Sequence, residues 1–388
     1  MNPRAIPLVA LGAAIAACAY FFLWSGPSPV AAPSFDAADL PQTEKSGAAQ
    51  SEGGAEKNPA PGSSSDGTEK EPAVNWKRFT AMMGGTDGFG DAMPKPTSDD
   101  ITKFLAKHGE TAANLVAAFG VTRDRRLIER ALELFPNSQI VLMAAIESVP
   151  AGAAPTPGET SQPDAERAAL IERFKAADPN NPLPWIFSAQ ELFKAGQTAQ
   201  GIAEIRAALE HSAFYTYSNE RMDSTQQLYE DMGLHPIEAS MLAMAGLTMP
   251  QMSAAQQASR SLMEWQKAAT ESGDTAAADD ALRLTYDLGR TFATPEASRT
   301  LIGQLVGVSM EARALKALPA DAQPEWLTVV PAQRLTEMEK QKQNVKDLTE
   351  GLTSIFQSQN EPLLAEYLRR NRNDGELSAL TWLKAQKK

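Results

Sequence analysis

The chain has 388 residues, 43% of them hydrophobic, with Lys+Arg 36 against Asp+Glu 48, a formal net charge of -12, one cysteine and three histidines. The acidic balance argues against a general nucleic-acid-binding surface, because a phosphate backbone needs cationic partners. A single cysteine excludes an intramolecular disulfide framework and a CxxC zinc site, and three scattered histidines argue against a His-rich metal centre.

The run from Ala5 to Trp24 carries no charge. As a helix it would span roughly 30 Å, the thickness of a bilayer's hydrocarbon core. Arg4 precedes it, and the first charges after it are Asp36 and Asp39. The excess of positive charge on the N-terminal side places that end in the cytoplasm. The expectation is a transmembrane signal anchor over residues 1–25. It makes the protein a single-pass inner-membrane protein, with the bulk of the chain periplasmic or otherwise extracytoplasmic and the membrane as one partner. Two alternatives stay open. Ala17-Cys18-Ala19 has the form of a signal-peptide cleavage site, and Ile15-Ala16-Ala17-Cys18 resembles a bacterial lipobox with Cys18 as the lipidated residue. The aromatic residues Tyr20, Phe21, Phe22 and Trp24 suit the far interface of an anchor better than the start of a mature chain.

Residues 26–97 read as a disordered acidic linker. Pro33 to Pro72 is rich in Ala, Gly, Ser, Pro, Glu and Lys, a composition that cannot bury enough apolar surface to offset its ordering entropy. Apolar residues return between Val74 and Thr97, among them Trp76, Phe79, Met82, Met83, Phe89 and Met93. Such a stretch either docks on the folded body or carries a short recognition motif. The GGTDGFGD stretch from Gly84 to Asp91 lacks both the GK[ST] ending of a phosphate loop and the D-x-D-x-D-G series of a calcium loop, so it reads as a flexible turn.

From Ser98 onward the periodicity is helical. Thr97, Ser98, Asp99 and Asp100 supply a cap and early-turn acids ahead of Ile101, Phe104 and Leu105. A second helix covers about Thr111 to Phe119 and stops near Gly120. A third starts beside Thr122, carries Leu127, Ile128, Ala131, Leu132 and Leu134 on one face, and is interrupted by Pro136. No alternating run of β-branched residues bounded by hairpin signals is present, so an all-α fold is expected.

The segment from Ala176 to Ser212, AADPNNPLPWIFSAQELFKAGQTAQGIAEIRAALEHS, resembles a tetratricopeptide repeat. Pro179 stands at the closing proline, Trp185 at the first aromatic position, Ala189 at the small position of helix A, and Leu192 with Phe193 at the bulky pair. Gly196 marks the turn, and Gly201, Ile205 and Ala208 fill the small, bulky and small positions of helix B. Small residues at those places let two helices approach closely. Ala213 departs from the pattern, since a further closing proline belongs there. A weaker copy lies upstream, where ALELFPNS ends on Pro136. Pro136 and Pro179 are further apart than a repeat of about 34 residues, and Pro150 to Pro163 supplies the excess as a loop between two helices. The resemblance implies stacked helix pairs over a tetratricopeptide-like helical region, 98–217, that binds a protein or peptide partner.

The C-terminal helical region, 218–388, shows no alignable repeat. Its expected helices are 219–232, 236–247, 254–271, 275–292, 296–317, 332–357, 361–371 and 375–386. Gly303 and Gly307 lie one turn apart in the apolar run Thr300 to Met310, which is too short to cross a bilayer and suits close helix packing. Helix 332–357 places Leu335, Met338, Val345, Leu348, Leu352, Ile355 and Phe356 opposite a charged face, as an amphipathic helix laid on a core or, alternatively, as a partner-binding helix.

Few residues suggest chemistry. His211 and His235 bracket a polar and aromatic stretch with Phe214, Tyr215, Tyr217, Glu220, Asp223, Tyr229 and Glu238. No HExxH or HxH spacing requires a metal there. The aromatic residues either line a pocket or pack where the two halves meet. The basic C-terminus, with Arg369, Arg370, Arg372, Lys384, Lys387 and Lys388, reads as a solvated helix face, with anionic lipid or an acidic partner as alternatives. No nucleophile motif is present. No catalytic, cofactor-binding or metal-ligating residue is assigned. The expected function is a membrane-anchored, envelope-exposed helical scaffold or protein-interaction module. A structural spacer of an envelope complex and a carboxylate-dependent hydrolase of envelope polymers are the alternatives.

Overall fold

A computed structural model describes residues 74–76, 94–149, 164–211, 214–294 and 299–386. Among them are fifteen α-helices and no strand. The first four are α1 (Ser98–His108), α2 (Ala112–Thr122), α3 (Arg125–Leu134) and α4 (Gln139–Ser148). Thr97 and Asp100 form a reciprocal capping box at α1: Asp100 N donates to Thr97 Oγ1 at 3.2 Å, and Thr97 N donates to Asp100 Oδ2 at 2.8 Å. The side-chain and backbone hydrogen bonds from Thr97 hold the Asp100 carboxyl below its usual range. Helix α2 runs past Gly120, because Arg123 takes the left-handed closing position (φ 59) and its N–H reaches Phe119 O at 2.8 Å. Asp124, and not Thr122, then caps α3.

Next come α5 (Ala165–Ala177), α6 (Leu183–Lys194) and α7 (Thr198–Leu209). Helices α4 and α5 pack as one pair and α6 and α7 as another, with α5 against α6 joining them. The expected loop Pro150–Pro163 lies outside the described residues. In the α6–α7 pair a Cβ at Gly201 would stand 2.8 Å from the Phe193 ring, so any larger residue would have to displace that ring. Ala189, Ile205 and Ala208 are buried beneath the same contact. The helices stack as pairs, an arrangement consistent with a generic helical repeat.

The second half comprises α8 (Ser218–Asp231), α9 (Pro236–Ala245), α10 (Pro250–Ser272), α11 (Thr275–Ala293), α12 (Leu301–Lys316), α13 (Pro331–Ser358), α14 (Glu361–Asp374) and α15 (Glu376–Ala385). Helix α10 begins four residues earlier than expected, with Pro250 at its first turn. Helix α12 begins later than expected, at Leu301, where Thr300 Oγ1 accepts from Gly303 N at 3.2 Å. Helices α11 and α12 cross at Gly289 and Gly307. A Cβ at Gly307 would lie 2.4 Å from Ala293 N and 2.6 Å from Gly289 O.

The largest core cluster joins the halves. It contains Phe119, Phe174, Phe187 and Tyr217 from the first region and its junction, with Leu262, Leu288, Phe292 and Met310 from the second. Each fully buried large apolar side chain contributes roughly 1.5–3 kcal/mol. A second cluster gathers Tyr229, Ile237, Leu364, Tyr367, Leu380 and Leu383. Val74, from the stretch expected as linker, is buried in that cluster, Trp76 packs against it, and Asn75 N donates to Glu238 Oε1 at 3.2 Å.

The transmembrane helix of the expected fold requires correction. Among the described residues no helix is long and apolar enough to cross a membrane. The two longest, α10 of 23 residues and α13 of 28, carry charged and amide side chains along their length. The segment Ala5–Trp24 lies outside the described residues. Inner-membrane localisation, the chain's orientation and the membrane as partner all depended on that segment, and nothing described supports them.

Candidate functional site

The His211–His235 stretch does not converge. His211 stacks on Trp185, with ring centroids 5.4 Å apart. His235 caps α9: its Nδ1 accepts from Ile237 N at 3.2 Å, while Nε2 lies 3.3 Å from Glu361 Oε1. Phe214 packs edge-on against Phe292, and Tyr215 donates to Glu220. Asp223 pairs with Arg372 at 3.2 Å, and Glu238 receives Asn75. Tyr217, in the left-handed conformation at φ 54, donates to Asp178 and receives Asn181 Nδ2 at 3.4 Å, which ties α8 to the turn before α6. Burial and the Asp178 hydrogen bond push its phenol well above the usual range. Phe214 and Tyr217 hold the two halves together. Tyr229 lines a concavity.

That concavity is a cleft of about 270 Å³ between α2, α8 and α9, closed on one side by Pro94, Lys95 and Pro96. Its apolar wall includes Val116, Gly120, Tyr229 and Leu247, and its charged wall is Arg123, Arg221 and Lys95. Arg221 is buried and committed. Its Nη1 donates to Glu147 Oε1 at 2.7 Å, and its Nη2 reaches Glu147 Oε2 at 3.3 Å and Thr248 Oγ1 at 2.9 Å. Thr248 Oγ1 in turn donates to Glu147 Oε2 at 2.6 Å. Arg123 is different. Its guanidinium lies 5.9 Å from the Phe119 ring centroid and makes no side-chain hydrogen bond among the described residues. Loss of solvent around it lowers its pKa, Glu147 raises it and the neighbouring Arg221 lowers it again. It remains a cation at any physiological pH.

Sequence reasoning missed these residues. The available signal was Arg221 in the first turn of α8, where the helix dipole disfavours a cation unless another partner holds it. Arg123 carried no signal, because its isolation depends on elements distant in sequence.

A second concavity of about 270 Å³ lies along α5, α6 and α7, lined by Ile171, Glu172, Ser188, Glu191, Leu192 and Glu204. Its charges are compensated internally. Lys175 Nζ bridges Glu172 at 2.8 Å, Glu204 at 2.9 Å and Ser188 at 3.2 Å, and sits 4.4 Å from the Trp185 ring centroid. Arg167 pairs with Glu191 at 3.0 Å.

The chain matches no family model, no curated protein and no solved structure. Its function must therefore be argued from the side chains.

Those side chains correct the hydrolase alternative. It required a cleft with a carboxyl of raised pKa. Burial raises Asp287, Glu311 and Glu376, and none of the three lines either concavity. Among the described residues no group of three His, Cys, Asp or Glu is placed to hold a metal ion. The envelope location and the spacer role rested on the anchor and find no support either. Part of the basic C-terminal face is paired: Arg369 and Arg370 both bind Glu366, at 2.7 and 2.8 Å, Arg370 lies over Trp382 at 4.7 Å, and Arg372 binds Asp223, while Lys384 is exposed. Lys387 and Lys388 lie outside the described residues.

Proposed function

We propose that this protein is a helical interaction module that holds a protein or peptide partner. On this reading, residues 98–217 form a tetratricopeptide-like unit and residues 218–388 a second helical unit that completes the binding surface. The observation that carries the proposal is the cleft between α2, α8 and α9, where Arg123 makes no side-chain hydrogen bond among the described residues while the neighbouring Arg221 is paired with Glu147. Stacked helix pairs offer extended surfaces for recognition rather than a reactive centre. The Gly201–Phe193 contact supports the tetratricopeptide-like register of α6 and α7.

Selection from a displayed peptide library on the full-length chain tests the reading. Enriched peptides should bind saturably, and bound peptide should slow hydrogen exchange in α2, α8 and α9 or in α5–α7. Repeated selections without enrichment, or binding that protects neither region, would overturn it.

A further inference from the structure

We propose that the cleft between α2, α8 and α9 is a carboxylate-binding site, taking a monoanionic carboxylate with an apolar group beside it, as at the C-terminal residue of a peptide. This rests on the interaction-module reading and names the chemistry of its partner.

Three features argue for an anion. Two guanidinium groups, Arg123 and Arg221, border one cleft, and one carboxylate, Glu147, hydrogen-bonds to Arg221 and acts on Arg123 only through space. Lys95 adds a third cation at the rim. Arg123 makes no side-chain hydrogen bond among the described residues; its left-handed backbone at φ 59 is accounted for as the closing residue of α2. The negative end of the α2 dipole accounts for a cation near Thr122. It leaves the hydrogen-bonding capacity of the Arg123 guanidinium unused among the described residues.

The class of anion follows from the helix directions. Helices α2 and α9 both present their C-terminal ends here, through Gly120, Val121 and Arg123 and through Ala243, Gly246 and Leu247. Phosphate sites are built on helix N-termini, whose free N–H groups face the anion. Two C-terminal ends disfavour any anion, and a dianion more than a monoanion, so the cations here suit a single negative charge, which a guanidinium such as that of Arg123 can meet with two hydrogen bonds. The remaining wall, with Val116, Pro94, Pro96, Tyr229 and Leu247, is apolar and suits a hydrocarbon side chain next to the carboxylate. A cleft of about 270 Å³ is small for a drug-sized ligand and fits one residue.

The test uses the full-length chain and four probes read by backbone amide NMR: N-acetyl-Ala-Leu as the free acid, its C-terminal amide, N-acetyl-Glu-Leu amide, and inorganic phosphate. The free acid should shift resonances of Val116, Gly120, Val121 and Leu247 saturably. The C-terminal amide should bind about tenfold or more weakly, the factor for one charge-assisted hydrogen bond. Arg123→Gly should lose the same factor while keeping the fold, since glycine accepts φ 59. Gly120→Leu, which meets no atom within 4 Å at its Cβ, should fill the cleft and block the probe. Binding of the glutamyl amide equal to the free acid supports the carboxylate and assigns it to an acidic side chain. Equal binding of free acid and C-terminal amide, phosphate binding as tight as the free acid, shifts outside the cleft, an undiminished Arg123→Gly, or no saturation would each overturn the proposal. A chain that fails these probes yet binds selected peptides loses only the carboxylate assignment.

Discussion

The crossing of α11 and α12 makes a quantitative prediction, because one substitution should have opposite signs at two helical glycines. At Gly307 an added Cβ meets backbone on three sides: Ala293 N at 2.4 Å, Gly289 O at 2.6 Å and Phe292 C at 2.7 Å. Comfortable contact needs about 3.5 Å, so the helices must part by roughly 1 Å. No side-chain rotation relieves this, since the obstructing atoms are main chain. Separation also loosens Leu288, Phe292, Val306 and Met310, which share the main cluster. Overpacking of this kind costs about 1–3 kcal/mol, and the alanine helix preference returns about 0.5–1 kcal/mol. Gly307→Ala should therefore destabilise by about 1–2 kcal/mol. Gly120 is also helical but has nothing within 4 Å of its Cβ. Gly120→Ala should stabilise by about 0.5–1 kcal/mol. Urea unfolding followed by far-ultraviolet circular dichroism would measure both, with the wild-type chain as reference. A Gly307→Ala chain as stable as wild type would refute the backbone-on-backbone reading of the crossing.

Three further predictions follow from other contacts. Gly201→Ala should cost less than Gly307→Ala, about 1 kcal/mol, because the Phe193 ring it meets at 2.8 Å can turn aside; an equal or larger loss in the same unfolding assay would contradict this. Arg221→Leu should cost about 3–5 kcal/mol by leaving buried Glu147 without its cation, and adding Glu147→Leu should recover much of the loss; a double-mutant cycle with no coupling would rule out the pair as the cause. Glu311 is fully buried, and that burial, outweighing the Arg334 hydrogen bonds at 2.8 and 3.2 Å, raises its carboxyl above the ordinary value of 4.5. A raised folded value means that Glu311's contribution is complete below 4.5 and is lost as pH climbs through the raised value. Glu311→Gln should flatten that decline, and parallel stability–pH curves for the two chains above pH 4.5 would count against it.

The local features were legible in the sequence. Capping residues, prolines and 3.6-residue periodicity placed nearly every helix of the C-terminal region to within a few residues, and the small-to-bulky pattern around Gly201 predicted the α6–α7 contact. Gly307 was legible as a close-packing residue, but its partner Gly289 was not, because a lone glycine inside a helix does not name the helix it faces. The termination of α2 was misplaced for a related reason: Gly120 looks like a stop, whereas Arg123 adopts the left-handed position. The cleft could not be read at all. Lys95, Arg123, Arg221 and Leu247 are neighbours only because α2 packs on α8 and α8 on α9. The aromatic stretch beginning at Phe214 drew attention by density, yet density marked the junction between halves, where Tyr217 and Phe214 are needed for packing.

The docking of Val74 bears on the order in which the molecule is made. It belongs to the same buried cluster as Leu364, Tyr367, Leu380 and Leu383, from the last two helices. A chain leaving the ribosome N-terminus first presents Val74 long before that cluster exists. Closing the contact between Asn75 and Glu238 requires bridging a separation of 163 residues, and long-range closures of this kind are slow steps. A segment ahead of α1 thus completes its cluster only after α14 and α15 have been made. A chain interrupted before Glu361 would lack the side chains that α14 and α15 give to this cluster. A segment ahead of α1 and the last two helices therefore close one core together.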